Sequence, residues 1–242
     1  MAPEATLKTS SKPVPLPRGT STTSDRKAAM DFRLPSILKG SRANLERIQE
    51  RARALGKDAE RLPPGQFLTQ RWPVLHYGPV PHTRLADWDF RIFGLVKEPV
   101  RFTYNEFMAL PKKTIMCDIH CVTRWSKFDM VFEGVPFTEV IRHAEVDPRA
   151  RYVIVHAEYG FTTNLPLEVL MDDDVLFAHR ANGADLTPEH GWPLRLVVPK
   201  RYFWKSAKWV RGIELSEHDR PGFWEQNGYH NNADPWKEER YW

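Results

Sequence analysis

Four segments of this sequence carry side chains whose types and spacing suit chemistry. The first is Asp118-Ile-His-Cys121-Val-Thr-Arg-Trp-Ser126, where a cysteine follows a strand-like run and precedes small and polar residues suited to a tight loop. A thiolate placed there can face a cleft and bind a soft metal, because soft sulfur donors select soft ions and coordination strips the thiol proton. The same residue types also describe a small core hydrophobe, the usual fate of a free cysteine, and the segment alone leaves both readings open. Structural zinc is a weaker reading, since Cys117-x-x-His120-Cys121 has no second pair of ligands elsewhere. A disulfide between the two cysteines is disfavoured, because residues four apart on an extended strand sit about 13 Å from each other. Thioredoxin-type chemistry wants two intervening residues, and here there are three.

The second segment, Pro188-Glu-His190-Gly-Trp-Pro-Leu-Arg195-Leu-Val-Val-Pro199, is a Gly/Pro turn leading into an apolar strand that carries one arginine. An arginine among apolar neighbours is expensive to bury alone, so it points to an anionic ligand or to a structural ion pair. The third, Trp204-Lys205-Ser206-Ala207-Lys208-Trp209, offers lysine and closely spaced backbone N–H groups to an anion, or lysine stems snorkelling over tryptophan. The fourth, Arg71-Trp-Pro-Val-Leu-His76-Tyr77-Gly78-Pro79-Val-Pro81, is a loop in which Gly and Pro force a turn just after an imidazole and a phenol.

These segments need a scaffold, and the pattern predicts an α+β fold in place of a regular βαβ winding. Strands are expected over Asp89–Val96, Thr114–Asp118, Tyr152–His156, Val175–His179, Leu194–Val198 and Ala207–Leu215. Thr103-Tyr-Asn-Glu106 reads as a capping box opening a helix that Pro111 stops. Thr138–His143 reads as a second short helix, and Asn164 with Pro166 as the cap and first turn of a third. Asn182-Gly183 signals a hairpin joining the strands at Val175–His179 and Leu194–Val198. The aromatics Phe223, Trp224, Tyr229, Trp236, Tyr241 and Trp242 imply an arm that packs on the core, or a partner surface.

The chain of 242 residues is 41% hydrophobic and 12% aromatic, enough for one substantial core. Its basic excess is local: residues 1–60 hold twelve Lys or Arg against seven Asp or Glu, and residues 61–242 hold 23 against 24. Residues 1 to about 30 are rich in Ser, Thr, Pro and Lys and are expected to be disordered. A thin amphipathic helix is expected between Ser41 and Gly56. Pro63-Pro64-Gly65 then divides a basic tail, residues 1–62, from a folded unit, residues 63–242. A near-neutral folded unit argues against a nucleic-acid coat. No apolar run approaches the roughly 18 residues that span a bilayer, and neither a secretory apolar region nor a twin-arginine pair is seen, so a cytoplasmic address is expected.

Taken in order, the four segments resemble the molybdopterin-binding domain of the sulfite oxidase superfamily over about residues 66 to 242. The resemblance implies a fold of mixed sheets and short helices. It implies a molybdenum-molybdopterin cofactor with Cys121 as metal ligand and Thr123 beside it. The loop His76-Tyr77-Gly78 is similar to the one that encloses the pterin, with His76 or Tyr77 able to supply a proton. His190 and Arg195 match the residues that hold the pterin and its phosphate, and Ser206-Ala207-Lys208 the segment that completes the phosphate site. His156 and Thr162 are implied as further lining residues, and Arg124 as a possible anion contact.

Sulfite oxidases follow the cysteine with Asn-Arg-Arg, whereas this chain has Val-Thr-Arg124-Trp125-Ser126, closer to the bacterial methionine-sulfoxide reductase branch. The implied activity is two-electron oxygen-atom transfer on a small substrate, with electrons exchanged with a separate protein and no nucleic acid involved. The alternative from another class is a non-catalytic binding protein that uses the basic tail and the aromatic C-terminal stretch.

Overall fold

The computed structural model describes residues 60–242. All but residues 60–62 of the basic tail, and the helix expected between Ser41 and Gly56, lie outside these residues. The described chain opens with β1 (Phe67–Leu68), β2 (Asp89–Gly94), β3 (Val100–Thr103), α1 (Tyr104–Ala109), β4 (Lys113–His120), β5 (Trp125–Pro136) and α2 (Phe137–Ile141). It continues through β6 (Tyr152–Ala157), β7 (Thr162–Pro166), α3 (Leu167–Leu170), β8 (Leu176–Ala181), β9 (Ala184–Asp185), β10 (Arg195–Val197), β11 (Val210–Ser216) and α4 (Phe223–Gln226). The class is α+β, as expected.

A six-stranded sheet runs β1-β5-β8-β10, with β4 paired to β5 and β9 to β8, and a five-stranded sheet runs β3-β2-β11-β6-β7. The six-stranded sheet is a wall between two cores. Alternation along β8 sends Phe177 to one side and Leu176 and Ala178 to the other, and along β10 it separates Leu196 from Val197. Against the first face pack Phe90, Ile92, Val155, Ile213 and Leu215 of the five-stranded sheet, together with Phe107 of α1. The second face carries Ile119, Cys121, Trp125, Met130 and Phe132.

Local rules account for most boundaries. The Thr103 hydroxyl accepts from the Glu106 N–H while the Glu106 carboxylate accepts from the Thr103 N–H, completing the expected capping box, and α1 ends before Pro111. Asn164 departs from expectation. It lies inside β7 with its side chain bonded to Asp219 and Asn231, and Pro166 stands at the start of α3. A buried polar side chain with tertiary partners outweighs its local capping tendency.

The Asn182-Gly183 turn joins β8 to the two-residue β9 and not directly to the strand at Arg195. Both β9 and β10 pair with β8, on the edge opposite β5, so the return strand is broken in two. The chain between them leaves the sheet through a short 3-10 turn at Pro188–His190 and a cis Trp192–Pro193 bond.

The C-terminal arm packs on the folded unit. Tyr202 donates its N–H to the Ala233 carbonyl at 2.8 Å, Ala233 is fully buried, and Tyr229 meets the Trp204 ring edge-on at 4.9 Å. No helix among the described residues is long and apolar enough to cross a membrane.

Candidate active site

Cys121 stands where β4 ends and the chain reverses into β5. The turn closes through the Arg124 N–H on the Cys121 carbonyl at 3.0 Å and the Cys121 N–H on the Trp125 carbonyl at 2.9 Å. Arg124 takes a left-handed φ of 75°, unusual for a side chain of this size, and its side chain is exposed. The Cys121 thiol is 9% exposed and accepts from the Thr123 hydroxyl at 3.1 Å. Burial pushes its pKa up, opposed by the Thr123 hydrogen bonds and by the charges of Arg240 and Lys208. Beside it, His120 shares a buried hydrogen bond with Ser126 at 2.8 Å, and desolvation takes the imidazole down to about 4, so it is neutral.

Arg195 enters on β10, one pleat from Val197 and therefore on the Cys121 side of the sheet. It is 1% exposed. Its Nη1 donates to the His190 carbonyl at 2.9 Å and its Nη2 to the Ser206 carbonyl at 3.0 Å, while the guanidinium lies over the Phe203 ring at 4.2 Å. Nε has no partner, and no carboxylate pairs with this side chain among the described residues. Desolvation takes its pKa down to about 9.

His190, carried on the 3-10 turn between β9 and β10, stacks against Trp72 with ring centroids 3.9 Å apart. It shares Nδ1 with the Thr187 hydroxyl and leaves Nε2 buried and unpartnered. Lys208 reaches the Leu75 carbonyl at 2.8 Å and the Glu189 carbonyl. Burial and the nearby Arg195 charge depress it to about 7.

Gly191 makes the approach possible. Its φ is 111°, and a Cβ there would sit 3.0 Å from the Arg195 Cβ and 3.2 Å from the Lys208 Cβ. The loop His76-Tyr77-Gly78 closes over this group: Leu75 is held by Lys208, His76 donates Nδ1–H to the Gly78 carbonyl at 3.0 Å, and its ring meets Trp209 at 5.8 Å. Tyr77 packs on Phe223 at 4.7 Å.

The structure thus gathers His190, Arg195, Ser206, Ala207, Lys208 and the His76 loop. Cys121 is joined to them through core neighbours such as Trp72, Trp192 and Phe203. It does not bring His156 and Thr162 into those contacts. His156 donates to Glu214 at 2.9 Å and packs on Phe93, while Thr162 pairs with it across β6 and β7. A surface hollow lined by Met171, Asp172, Asp173, Asp174 and Lys200 shares no residue with the cluster.

Sequence reasoning also placed Lys205 beside the anion-binding segment, and the structure turns it elsewhere. It is 0% exposed and paired with Glu225 at 2.7 Å. Glu225, Gln66 and Arg240 were missed, because their partners lie far along the chain and no local pattern marks them.

A buried guanidinium with an unpartnered Nε and no carboxylate paired to it, with the Lys208 amine nearby, fits an anionic group such as a phosphate. A thiol on the same side supplies a soft donor. Together the fold and site define a protein with a cationic, anion-suited cluster and a soft sulfur donor on one side of the same sheet.

Comparison narrows that class. Residues 77–224 match the family "Oxidoreductase molybdopterin binding domain", and the chain belongs to it. The uncharacterized oxidoreductase YuiH of Bacillus subtilis (strain 168) is 47% identical over 182 residues, covering 75% of this chain and 92% of that protein. The catalytic subunit of the protein-methionine-sulfoxide reductase MsrP of Gluconobacter oxydans (strain 621H) is 26% identical, over 64% of this chain and 57% of its own length. A nitrate reductase [NADPH] of Emericella nidulans is 28% identical, and the match takes up 25% of that longer protein. Among solved structures, the sulfane dehydrogenase SoxCD from Paracoccus pantotrophus matches with a TM-score of 0.56 and 25% identity, over 63% of this chain and 43% of that one. The protein is a molybdenum-dependent oxidoreductase whose cofactor is molybdenum-molybdopterin.

Proposed function

We propose that the protein catalyses two-electron oxygen-atom transfer on a small substrate, with Cys121 Sγ as the protein ligand to molybdenum. When bound, the cofactor supplies the two-electron couple at the metal. The chain does the rest.

Arg195, Lys208 and His190 hold the cofactor's phosphate, and the buried, unpartnered Arg195 Nε is the observation that carries this reading. Thr123 steadies the sulfur through its hydroxyl. Because His76 keeps Nδ1 on the Gly78 carbonyl, Nε2 is the ring atom left to give or take a proton at the rim of the site. Tyr77 shapes the same rim with Phe223, and Arg124 presents an exposed charge one turn from the thiol.

The substrates named for the relatives are a protein methionine sulfoxide, nitrate and a sulfane, which supports small sulfur and nitrogen compounds as the class to screen. A relative described as a catalytic subunit supports electron exchange with a separate protein.

The test is direct. Purified protein should contain molybdenum and pterin, and Cys121→Ala should abolish turnover while circular dichroism shows an intact fold. Activity surviving that change refutes the assignment.

A further inference from the structure

Two buried side chains from outside the family match converge on the cysteine loop. Gln66, 0% exposed, donates Nε2–H to the Cys121 carbonyl at 3.0 Å. Arg240, 5% exposed, donates Nη1–H to the Val122 carbonyl at 3.0 Å and Nη2–H to the Pro64 carbonyl at 3.1 Å. The segments around residues 64 and 240 touch each other as well: a Cβ on Gly65 would fall 2.3 Å from Glu238 Oε1 and 3.2 Å from Arg240 Nη2.

From there the chain runs directly into β1, where the Phe67 N–H reaches the Arg124 carbonyl at 2.8 Å and the strand pairs with Trp125 and Ser126. Residues 64–68 and 240 therefore bracket the cysteine turn, and two consecutive carbonyls, those of Cys121 and Val122, are held by side chains.

The cation is the unusual part. Arg240 sits over the Tyr202 ring at 4.9 Å, and its Nε has no partner. Among the described residues its one acidic contact is Glu238 at 3.7 Å, on a side chain 48% exposed and therefore well screened. Backbone carbonyls alone would be served by a neutral donor. A guanidinium here places a weakly compensated positive charge beside the one residue positioned to bind a metal through sulfur.

We propose that Gln66 and Arg240 form a clasp that positions Cys121 as a metal ligand: the paired hydrogen bonds fix the turn, and the Arg240 charge raises the reduction potential of the bound molybdenum. A nearby cation favours whichever oxidation state carries more negative charge, which is the reduced one. This rests on Cys121 being the ligand.

The experiment uses full-length holoenzyme, wild type and four variants: C121A, R240Q, R240K and Q66L. It reads molybdenum content, the rate of molybdenum release to a chelator, the redox midpoint potential and the paramagnetic resonance of the Mo(V) state. R240Q should lower the potential and speed release several-fold. R240K keeps the charge but replaces the two planar nitrogens that reach the Val122 and Pro64 carbonyls with one nitrogen of different geometry, so it should restore the potential while release stays fast. Q66L removes one donor and no charge, so it should speed release and leave the potential unchanged.

R240Q and Q66L releasing metal at the wild-type rate with an unchanged potential overturns the clasp, whatever their melting temperatures. If R240Q does not fold, Q66L and R240K decide alone: unchanged release in both overturns it. C121A separates the two levels. An unaltered Mo(V) signal in C121A overturns the ligand assignment itself, whereas its loss alongside unperturbed R240Q and Q66L removes only the clasp.

Discussion

Arg195 and Lys205 are both fully buried cations, and they are compensated by opposite means. Lys205 meets Glu225 at 2.7 Å, the Asn164 carbonyl at 2.9 Å and the Asn164 side chain at 3.0 Å. Its charge is matched within the protein, and the pair pins the C-terminal arm to β7. Arg195 has two carbonyls, two aromatic faces and no carboxylate among the described residues. One is a finished structural joint. The other holds its charge at a cost that an anionic ligand would relieve, and this uncompensated charge is what separates it from a cation used for architecture.

Breaking the finished joint should do the greater damage to the fold. Glu225→Gln strips the counter-charge from Lys205, and losing one partner of a buried pair costs about 3–5 kcal/mol. Urea unfolding monitored by fluorescence should show that loss, and a cost below about 1 kcal/mol would make the pair no different from a surface one.

Arg195→Met should behave the other way. The cofactor-free protein should lose less stability than Glu225→Gln does, but the gain on cofactor binding should vanish. A ligand present at 100 times its dissociation constant stabilises by about 2.7 kcal/mol. Melting curves of loaded and cofactor-free protein should therefore differ in the wild type and coincide in this variant.

Lys208 sharpens the contrast through pH. Its folded pKa of about 7 lies below the ordinary lysine value of 10.5, so between those values the unfolded chain binds a proton that the folded one does not. Stability of the cofactor-free protein should rise with pH across that window, and Lys208→Met should flatten the slope. A bound phosphate reverses the preference by favouring the charged amine, so cofactor retention should weaken as pH climbs past about 7.

The smallest effect is expected far from both cations. Thr103→Ala removes the capping box of α1 and should cost about 1 kcal/mol, with molybdenum content unchanged.

The same division explains what could be read from the sequence. Where a residue's role depends on near neighbours, the pattern sufficed: Thr103 and Glu106 announced α1, strand-like apolar runs announced β2, β6 and β8, and a cysteine before small polar residues announced a turn. The residues proposed to bind the phosphate fall in compact stretches, His190 to Arg195 and Ser206 to Lys208, which is why a resemblance could single them out.

Roles set by distant partners were hidden. Asn164 read as a cap because proline follows two residues later, yet its partners are Lys205, Asp219 and Asn231. Lys205 looked equivalent to Lys208 until Glu225 was brought against it. The broken return strand escaped notice because nothing local distinguishes a hairpin that stays paired from one that departs after two residues and rejoins at Arg195.

The hydrogen bond from Arg240 to the Val122 carbonyl spans 118 positions, and this sets an order of events during biosynthesis. A nascent polypeptide exposes its thiol to the cell long before the ribosome has made the guanidinium that braces it. In the proposed clasp the bracing therefore waits for translation to finish, and a polypeptide arrested anywhere before Arg240 carries an unbraced thiol.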